Sequence, residues 1–288
     1  MSVPTFPTAA EAHHEEGFLH ATGDIRLYWQ RYTPPSPRAS VALFPGGGDH
    51  GGRYAAVTAA LVRSGLQVAL LDFRGHGRSD GRRWHVDAFQ DYLDDADVFI
   101  GHVRAGSSGR KLFVVGHSQG ALIATSWALA APRAVAGFVL SSPFFRFRTR
   151  PPPLKVIAGR VVGTIVPWLP LATGLRSEDL TSDPEMQRWV DADPLYGRAT
   201  TPRWFSETQR VQRDILEDAR RFEHPLLVLL GSSDPIADPA AMRAFLAAAC
   251  SRDKQLLAYE GFKHEIFNER ERHRPIGDAV AWIVARST

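Results

Sequence analysis

The chain has 288 residues, 44% of them hydrophobic and 23% charged, with 24 Gly and 20 Pro, which is the balance of an ordinary globular protein with material for a substantial core. With 34 Lys and Arg against 31 Asp and Glu the formal charge is only +3, and with so much apolar content this excludes a disordered, collagen-like or coiled-coil chain. The single cysteine, Cys250, permits neither an internal disulfide nor a cysteine-based zinc cage, so a cytoplasmic protein without structural metal is expected.

The basic residues are mostly arginine and are scattered along the chain, which argues against a nucleic-acid face. Met1 to Ala10 carries no Lys or Arg and no continuous apolar core, so it is expected to be a loose arm rather than a secretory signal or anchor. No apolar run reaches the roughly 18 uninterrupted residues that span a bilayer. The expectation is a soluble protein, at most peripheral to a membrane.

Phe18 to Ala21 and Ile25 to Tyr32 flank the turn signal Thr22-Gly23-Asp24 and read as an antiparallel hairpin. Val41 to Phe44 is a short apolar run ending in Pro-Gly-Gly-Gly, followed by helical spacing over Tyr54 to Arg63 and a Ser64-Gly65 stop. The alternation repeats as Val68 to Leu71, a helix around Phe89 to Val103, Leu112 to Val115, a helix over Gln119 to Ala130, and Gly137 to Leu140. Short buried strands alternating with helices predict a parallel sheet covered on both faces. From Phe144 the rhythm breaks at Arg146, Arg148, Arg150 and Pro151-Pro152-Pro153, and no convincing strand returns until Leu226 to Leu230. Pro239 to Ala249, Gln255 to Tyr259 and Pro275 to Ala285 then restore it. Residues 1–143 and 214–288 are therefore expected to form one core, and 144–213 an inserted helical cap.

The strongest chemical signal is Gly116-His117-Ser118-Gln119-Gly120, set between a predicted strand and a predicted helix. A sharp strand-to-helix turn strains the serine backbone, flanking glycines let neighbouring chains approach, and the hydroxyl stands exposed at a helix N-terminus. A serine hydroxyl is a weak nucleophile and needs an imidazole to take its proton, itself oriented by a carboxylate. In this architecture the acid follows a later strand and the histidine the last one. Asp234 in Gly-Ser-Ser-Asp fills the first slot and His264 in Gly-Phe-Lys-His the second. Asp238 and Glu265 are rival acids, but Asp238 reads as the cap of the helix opening at Pro239 and Glu265 adjoins the histidine. An oxyanion needs two backbone N–H donors, one from the residue after the nucleophile, Gln119, and one from Gly46-Gly47-Gly48, where the choice falls on Gly47.

Pro45-Gly46-Gly47-Gly48-Asp49-His50-Gly51-Gly52-Arg53-Tyr54, Asp72-Phe73-Arg74-Gly75-His76-Gly77-Arg78-Ser79-Asp80-Gly81, Gly116 to Gly120, Ser141-Ser142-Pro143, Asp193-Pro194-Leu195 and His264-Glu265 occur in this order. Together they resemble the monoacylglycerol lipase and lysophospholipase branch of the α/β-hydrolases, of serine aminopeptidase S33 type. The resemblance runs from about Phe18 to the C-terminus. It implies the α/β-hydrolase fold, a mostly parallel sheet with an inserted helical cap. It also implies a nucleophile, acid and base at Ser118, Asp234 and His264, with oxyanion donors at Gly47 and Gln119. No metal or organic cofactor is implied. The chain departs from the family's frequent His-Gly at Pro45-Gly46, so any hydrogen bond from that histidine to the oxyanion loop is missing.

Rival readings are weaker. Gly46 to Gly51 also fits G-x-G-x-x-G, with Asp72 at the spacing of a ribose-binding acid, but that fingerprint belongs to a first strand and leaves Ser118, Asp234 and His264 unexplained. His264-Glu265-Ile266-Phe267-Asn268 misses the zinc motif H-E-x-x-H by its last residue. His13 and His14 read as solvated, His76 as turn packing and Cys250 as a small buried hydrophobe. The apolar stretch Leu154 to Leu175 reads as cap packing that lines an acyl channel or touches a membrane surface. The expected activity is serine hydrolysis of a small-molecule or lipid ester, with monoacylglycerol or lysophospholipid first and short-chain carboxylic esters second. Peptidase or acyltransferase chemistry and a non-catalytic ligand-binding module are the alternatives.

Overall fold

The computed structural model describes residues 12–149, 163 and 165–287. The expected N-terminal arm, the proline triplet and the first part of the apolar stretch from Leu154 lie outside them.

β1 (His13–His20) and β2 (Arg26–Thr33) form the expected antiparallel hairpin. There follow β3 (Ala39–Phe44), α1 (Ala55–Arg63), β4 (Leu66–Leu71), α2 (Gln90–Ala105), β5 (Leu112–His117), α3 (Gln119–Ala130) and β6 (Gly137–Ser141). The chain then leaves the sheet for β7 (Leu171–Ala172), α4 (Ser177–Leu180), α5 (Pro184–Ala192), β8 (Ala199–Thr200) and α6 (Pro202–Glu217). It returns as β9 (Leu226–Gly231), α7 (Pro239–Ala248), β10 (Lys254–Tyr259) and α8 (His273–Ala285).

The main sheet has eight strands in the order β1-β2-β4-β3-β5-β6-β9-β10. From β4 onward every pairing is parallel, while β2 meets both of its neighbours antiparallel. The central strands β3, β4, β5, β6 and β9 are buried along their whole length, as continuous apolar runs covered on both faces require. Alternate residues feed two cores. Ala42 and Phe44 join Phe99, Trp127 and Phe245 on one face, and Val41 and Leu43 join Leu61, Phe113 and Trp282 on the other.

Two local readings are corrected. Between β6 and β9 the chain does form strand, a two-residue antiparallel pair β7–β8, too short to leave a periodic signal. Cys250 is exposed rather than buried, because α7 ends at Ala248 and Ala249 is extended, which carries the next residue off the helix and into solvent. His76 is buried as turn packing, its Nδ1 2.9 Å from Arg74 O, and burial lowers its pKa to about 4. Both His13 and His14 are exposed, His14 stacking on Tyr32.

Candidate active site

Ser118 sits on the turn from β5 to α3 with φ +52° and ψ −116°, a conformation that costs an L-residue energy and persists only where its surroundings impose it. They do so here: Ser118 N–H donates to Ser141 O on β6 at 2.9 Å, and Ser118 O accepts from Phe144 N at 3.1 Å and from Ala121 and Leu122 N–H in the first turn of α3. The flanking glycines are required by space. A Cβ at Gly116 would lie 2.7 Å from Ala121 Cα, and one at Gly120 only 2.1 Å from Phe44 O.

Two later loops converge on this turn. A Cβ at Gly231, the last residue of β9, would lie 2.3 Å from both Phe262 O and Lys263 O, so the bare glycine lets the loops after β9 and β10 touch. Ser233 N–H donates to Phe262 O at 3.0 Å and fastens them. The contact brings His264 Nε2 to 2.8 Å from Ser118 Oγ and His264 Nδ1 to 2.8 Å from Asp234 Oδ2. Asp234 Oδ1 accepts from the backbone N–H of Ile236 and Ala237 at 2.8 and 3.0 Å, which fixes the carboxylate. Asp238 lies apart from this line: it accepts from Ala240 N at the N-terminus of α7 and pairs with Arg146 at 2.7 Å.

Burial alone would lower the His264 pKa, but the charge and hydrogen bond of Asp234 prevail and raise it. Burial would raise that of Asp234, and His264 with the two N–H donors hold it below the ordinary carboxylate value. His117, its ring 5.0 Å from that of His264, has its pKa pushed well below the histidine range by burial and by its neighbour.

The glycine loop after β3 faces Ser118: a Cβ at Gly46 would lie 3.1 Å from the His117 ring and 3.4 Å from Ser118 Cβ. The histidine missing at Pro45 is replaced by other ties. Gly46 N–H donates to Tyr54 Oη at 3.0 Å, Tyr54 Oη donates to Asp49 Oδ2 at 2.9 Å, and Gly197 N–H donates to Gly48 O at 2.6 Å. His50 Nε2 meets Asp193 Oδ2 at 2.8 Å, and its pKa, which burial would lower, is raised by that partner and by Asp49. Asp72 is consumed within the fold, accepting from Gly51 and Arg78 N–H at 2.7 and 2.9 Å, so it is no ribose-binding acid. Asn268, at the last position of the near-zinc motif, donates its side-chain amide to Glu265 at 2.8 Å. Among the described residues no group of His, Cys, Asp and Glu is placed to hold a metal ion.

Ser118, only 8% exposed, and His264 open into a cavity of about 600 Å³. Its lining includes the apolar Phe144, Phe147, Leu171, Leu175, Phe205 and Ile236 and the polar Asp49, Tyr196 and Glu265. Sequence reasoning missed Trp84 and Trp204, which also line it. Trp84 stands between arginine and histidine in a glycine-rich loop, where no periodicity marks a residue for burial, and Trp204 lies in a segment read only as cap.

Residues 35–271 match the family model described as serine aminopeptidase, S33. Monoacylglycerol lipase of Mycolicibacterium smegmatis is 30% identical over 91% of this chain and 94% of its own length. Phospholipase YtpA of Bacillus subtilis is 29% identical over 82% and 91% respectively. The crystal structure of Paleococcus ferrophilus monoacylglycerol lipase superposes with a TM-score of 0.80 at 29% identity, covering 90% of this chain and 99% of that one. The architecture is the α/β-hydrolase fold.

Proposed function

Since the chain belongs to the serine aminopeptidase S33 family of hydrolases, we propose that it is a serine ester hydrolase of monoacylglycerol lipase type, with Ser118 as nucleophile, His264 as base and Asp234 as the orienting acid. The observation that carries this reading is the unbroken line Ser118 Oγ, His264 Nε2, His264 Nδ1, Asp234 Oδ2, with both gaps at 2.8 Å, opening on a largely apolar cavity. Ser118 Oγ attacks the ester carbonyl as its proton passes to His264, and the backbone N–H groups of Gly47 and Gln119 hold the oxyanion. His264 then protonates the leaving alcohol, and water repeats the cycle on the acyl-enzyme. The reaction draws on no metal or organic cofactor.

Residues 144–213 act as the cap over a core of 1–143 and 214–288, and the acyl chain lies along Phe144, Phe147, Leu171, Leu175 and Phe205 beneath it. Among the described lining residues there is no Arg or Lys, while Asp179 is acidic and Asp49 and Glu265 already pair with the buried Arg53. A neutral polyol head suits that wall better than a phosphate, which favours a monoacylglycerol over a lysophospholipid. Of the three relatives named above, two are monoacylglycerol lipases and one is a phospholipase.

Ile165, Trp168, Leu169 and Leu171 are exposed, at 69%, 49%, 40% and 44%, with the guanidinium of Arg82 5.9 Å from the Trp168 ring centroid. This apolar patch on the cap supports transient contact with a membrane surface that delivers the substrate. Among the described residues no helix is long and apolar enough to cross a membrane.

A fluorophosphonate probe tests the nucleophile directly. Peptide mass spectrometry is expected to place a single adduct on Ser118 of the folded protein, and an unlabelled Ser118 would reject the assignment.

A further inference from the structure

We propose that Trp84 is a positioning residue that sets both oxyanion donors and ties them to the seating of α6. The inference rests on the proposed donor roles of Gly47 and Gln119 and goes beyond them. Trp84 Nε1 and Trp204 Nε1 each donate to the same atom, Gln119 Oε1, at 3.1 Å, and the two indoles meet edge to face with centroids 5.2 Å apart. The side chain whose own backbone N–H faces the oxyanion is thus clamped by two buried donors.

The same indole walls the other donor. A Cβ at Gly47 would lie 2.5 Å from Gln119 Oε1 and 2.6 Å from the Trp84 ring, and one at Gly48 would lie 2.7 Å from that ring. The glycine loop can therefore lie against Gln119 only because it carries no side chains there, and Trp84 fixes how closely it does so.

Trp84 is itself held in a conformation it would not choose. Its φ of +43° is unusual for a bulky residue, and its backbone is fixed by a hydrogen bond from its N–H to Gly75 O at 3.0 Å. On the other side Thr200 Oγ1 donates to Trp84 O at 3.2 Å, and His85 Nδ1 lies 2.8 Å from Thr201 Oγ1. Thr200 and Thr201 immediately precede α6, the helix that carries Trp204. Strain at one tryptophan, matched by ties to loop, nucleophile turn and α6, makes a device whose product is donor geometry. A displacement of α6 reaches Gln119 through Trp204 and Gly47 through Trp84.

The test separates donor geometry from mere packing. A trifluoromethyl ketone adds Ser118 Oγ to its carbonyl carbon while the hydroxyl proton moves to His264, leaving a tetrahedral oxyanion in the hole; a short p-nitrophenyl ester reports turnover with little demand on the acyl pocket. Trp84→Phe stays aromatic but deletes both the N–H and the indole atoms that wall Gly47 and Gly48, and is expected to lower kcat on the short ester about tenfold, with KM within about twofold, while the ketone's inhibition constant rises by the same factor. Trp204→Phe tests the same clamp from α6 and is expected to shift both quantities in the same direction. The double variant orphans Gln119 Oε1 and is expected to lose more than the two single losses combined, and Gln119→Met in that background to recover most of the loss because it removes the orphaned carbonyl. A Trp84→Phe protein with altered melting temperature or KM but unchanged kcat and ketone inhibition would overturn the proposal. A wild-type protein that forms no adduct with the ketone, and a Ser118→Ala protein that still turns over the ester, would instead overturn the site assignment on which it rests.

Discussion

Arg53 Nη2 lies 2.5 Å from Glu265 Oε2, so a guanidinium only 2% exposed joins the turn after the glycine loop to the residue that follows His264. Its Nε lies 2.7 Å from Asp49 Oδ1, and the rings of Trp189 and Tyr196 face it with centroids at 5.1 Å. One cation thus stands between two buried carboxylates. Burial pushes the Asp49 pKa upward against the pull of Arg53, and the pair of acids raises that of Arg53 despite its burial.

Removing this cation is expected to cost more than any surface charge. Arg53→Met leaves Asp49 and Glu265 buried without their cation, and a loss of about 3–5 kcal/mol in denaturant unfolding is expected, growing as pH rises because burial raises the pKa of Asp49 in the fold. Arg274→Met breaks a pair with Glu271 whose side chains are 50% and 59% exposed, and is expected to cost less than about 1 kcal/mol. Equal losses for the two variants would contradict the account of the buried cluster.

The two candidate acids separate cleanly by substitution. Asp234→Asn leaves His264 without the carboxylate that sets its tautomer and stabilises its cation, and is expected to lower kcat by about 10³–10⁴. Asp238→Asn retains an N-cap side chain for α7 and touches no member of the proposed triad, so its kcat is expected to stay within about twofold of wild type. Steady-state kinetics on a short ester decide it, and the reverse pattern would move the acid to Asp238.

The pH profile follows from the proposed role of His264 as base. Its base form is neutral, and Asp234 raises its pKa, so kcat/KM is expected to fall on acidification with a midpoint above the ordinary histidine value of about 6.5. The linked stability has the opposite sense for the two partners. A raised histidine contributes stability that is present below its unfolded pKa and lost as pH rises through its folded one. The lowered pKa of Asp234 contributes stability present above its unfolded value and lost as pH falls through its folded one. A midpoint at or below 6.5 in kcat/KM would mean that the Asp234 interaction does not govern the base.

Glycine substitutions report on the turn geometry. Gly120→Ala drives a Cβ to 2.1 Å from Phe44 O, a backbone atom that cannot step aside, and is expected to abolish folding or cost upward of about 3 kcal/mol. Gly101→Ala, on the exposed face of α2 with nothing within 4 Å, is expected to stabilise by about 0.5–1 kcal/mol. Thermal unfolding of the two variants checks both signs.

The centre of the sheet was legible because β3, β4, β5, β6 and β9 are continuous apolar runs, and the helix over Gln119 to Ala130 matches its predicted ends. Ser118, His264 and Asp234 were legible because each follows a strand, so chain order alone predicts that they meet. The residues that shape the site around them were not. Trp84 and Trp204 are 120 positions apart in sequence and converge on Gln119 only through the packing of α6, and the two-residue strands β7 and β8 are too short for any period. The exposure of Cys250 turned on where α7 stops, a boundary set by the extended backbone at Ala249 rather than by the apolar pattern.

The most direct measurement is fatty-acid release from medium- and long-chain monoacylglycerols beside lysophosphatidylcholine and short p-nitrophenyl esters, with Ser118→Ala as the blank. Monoacylglycerol turnover that exceeds both other classes in kcat/KM and vanishes in the variant is the predicted result. Turnover confined to short esters would contradict the lipid assignment, and turnover that survives in Ser118→Ala would contradict the mechanism itself.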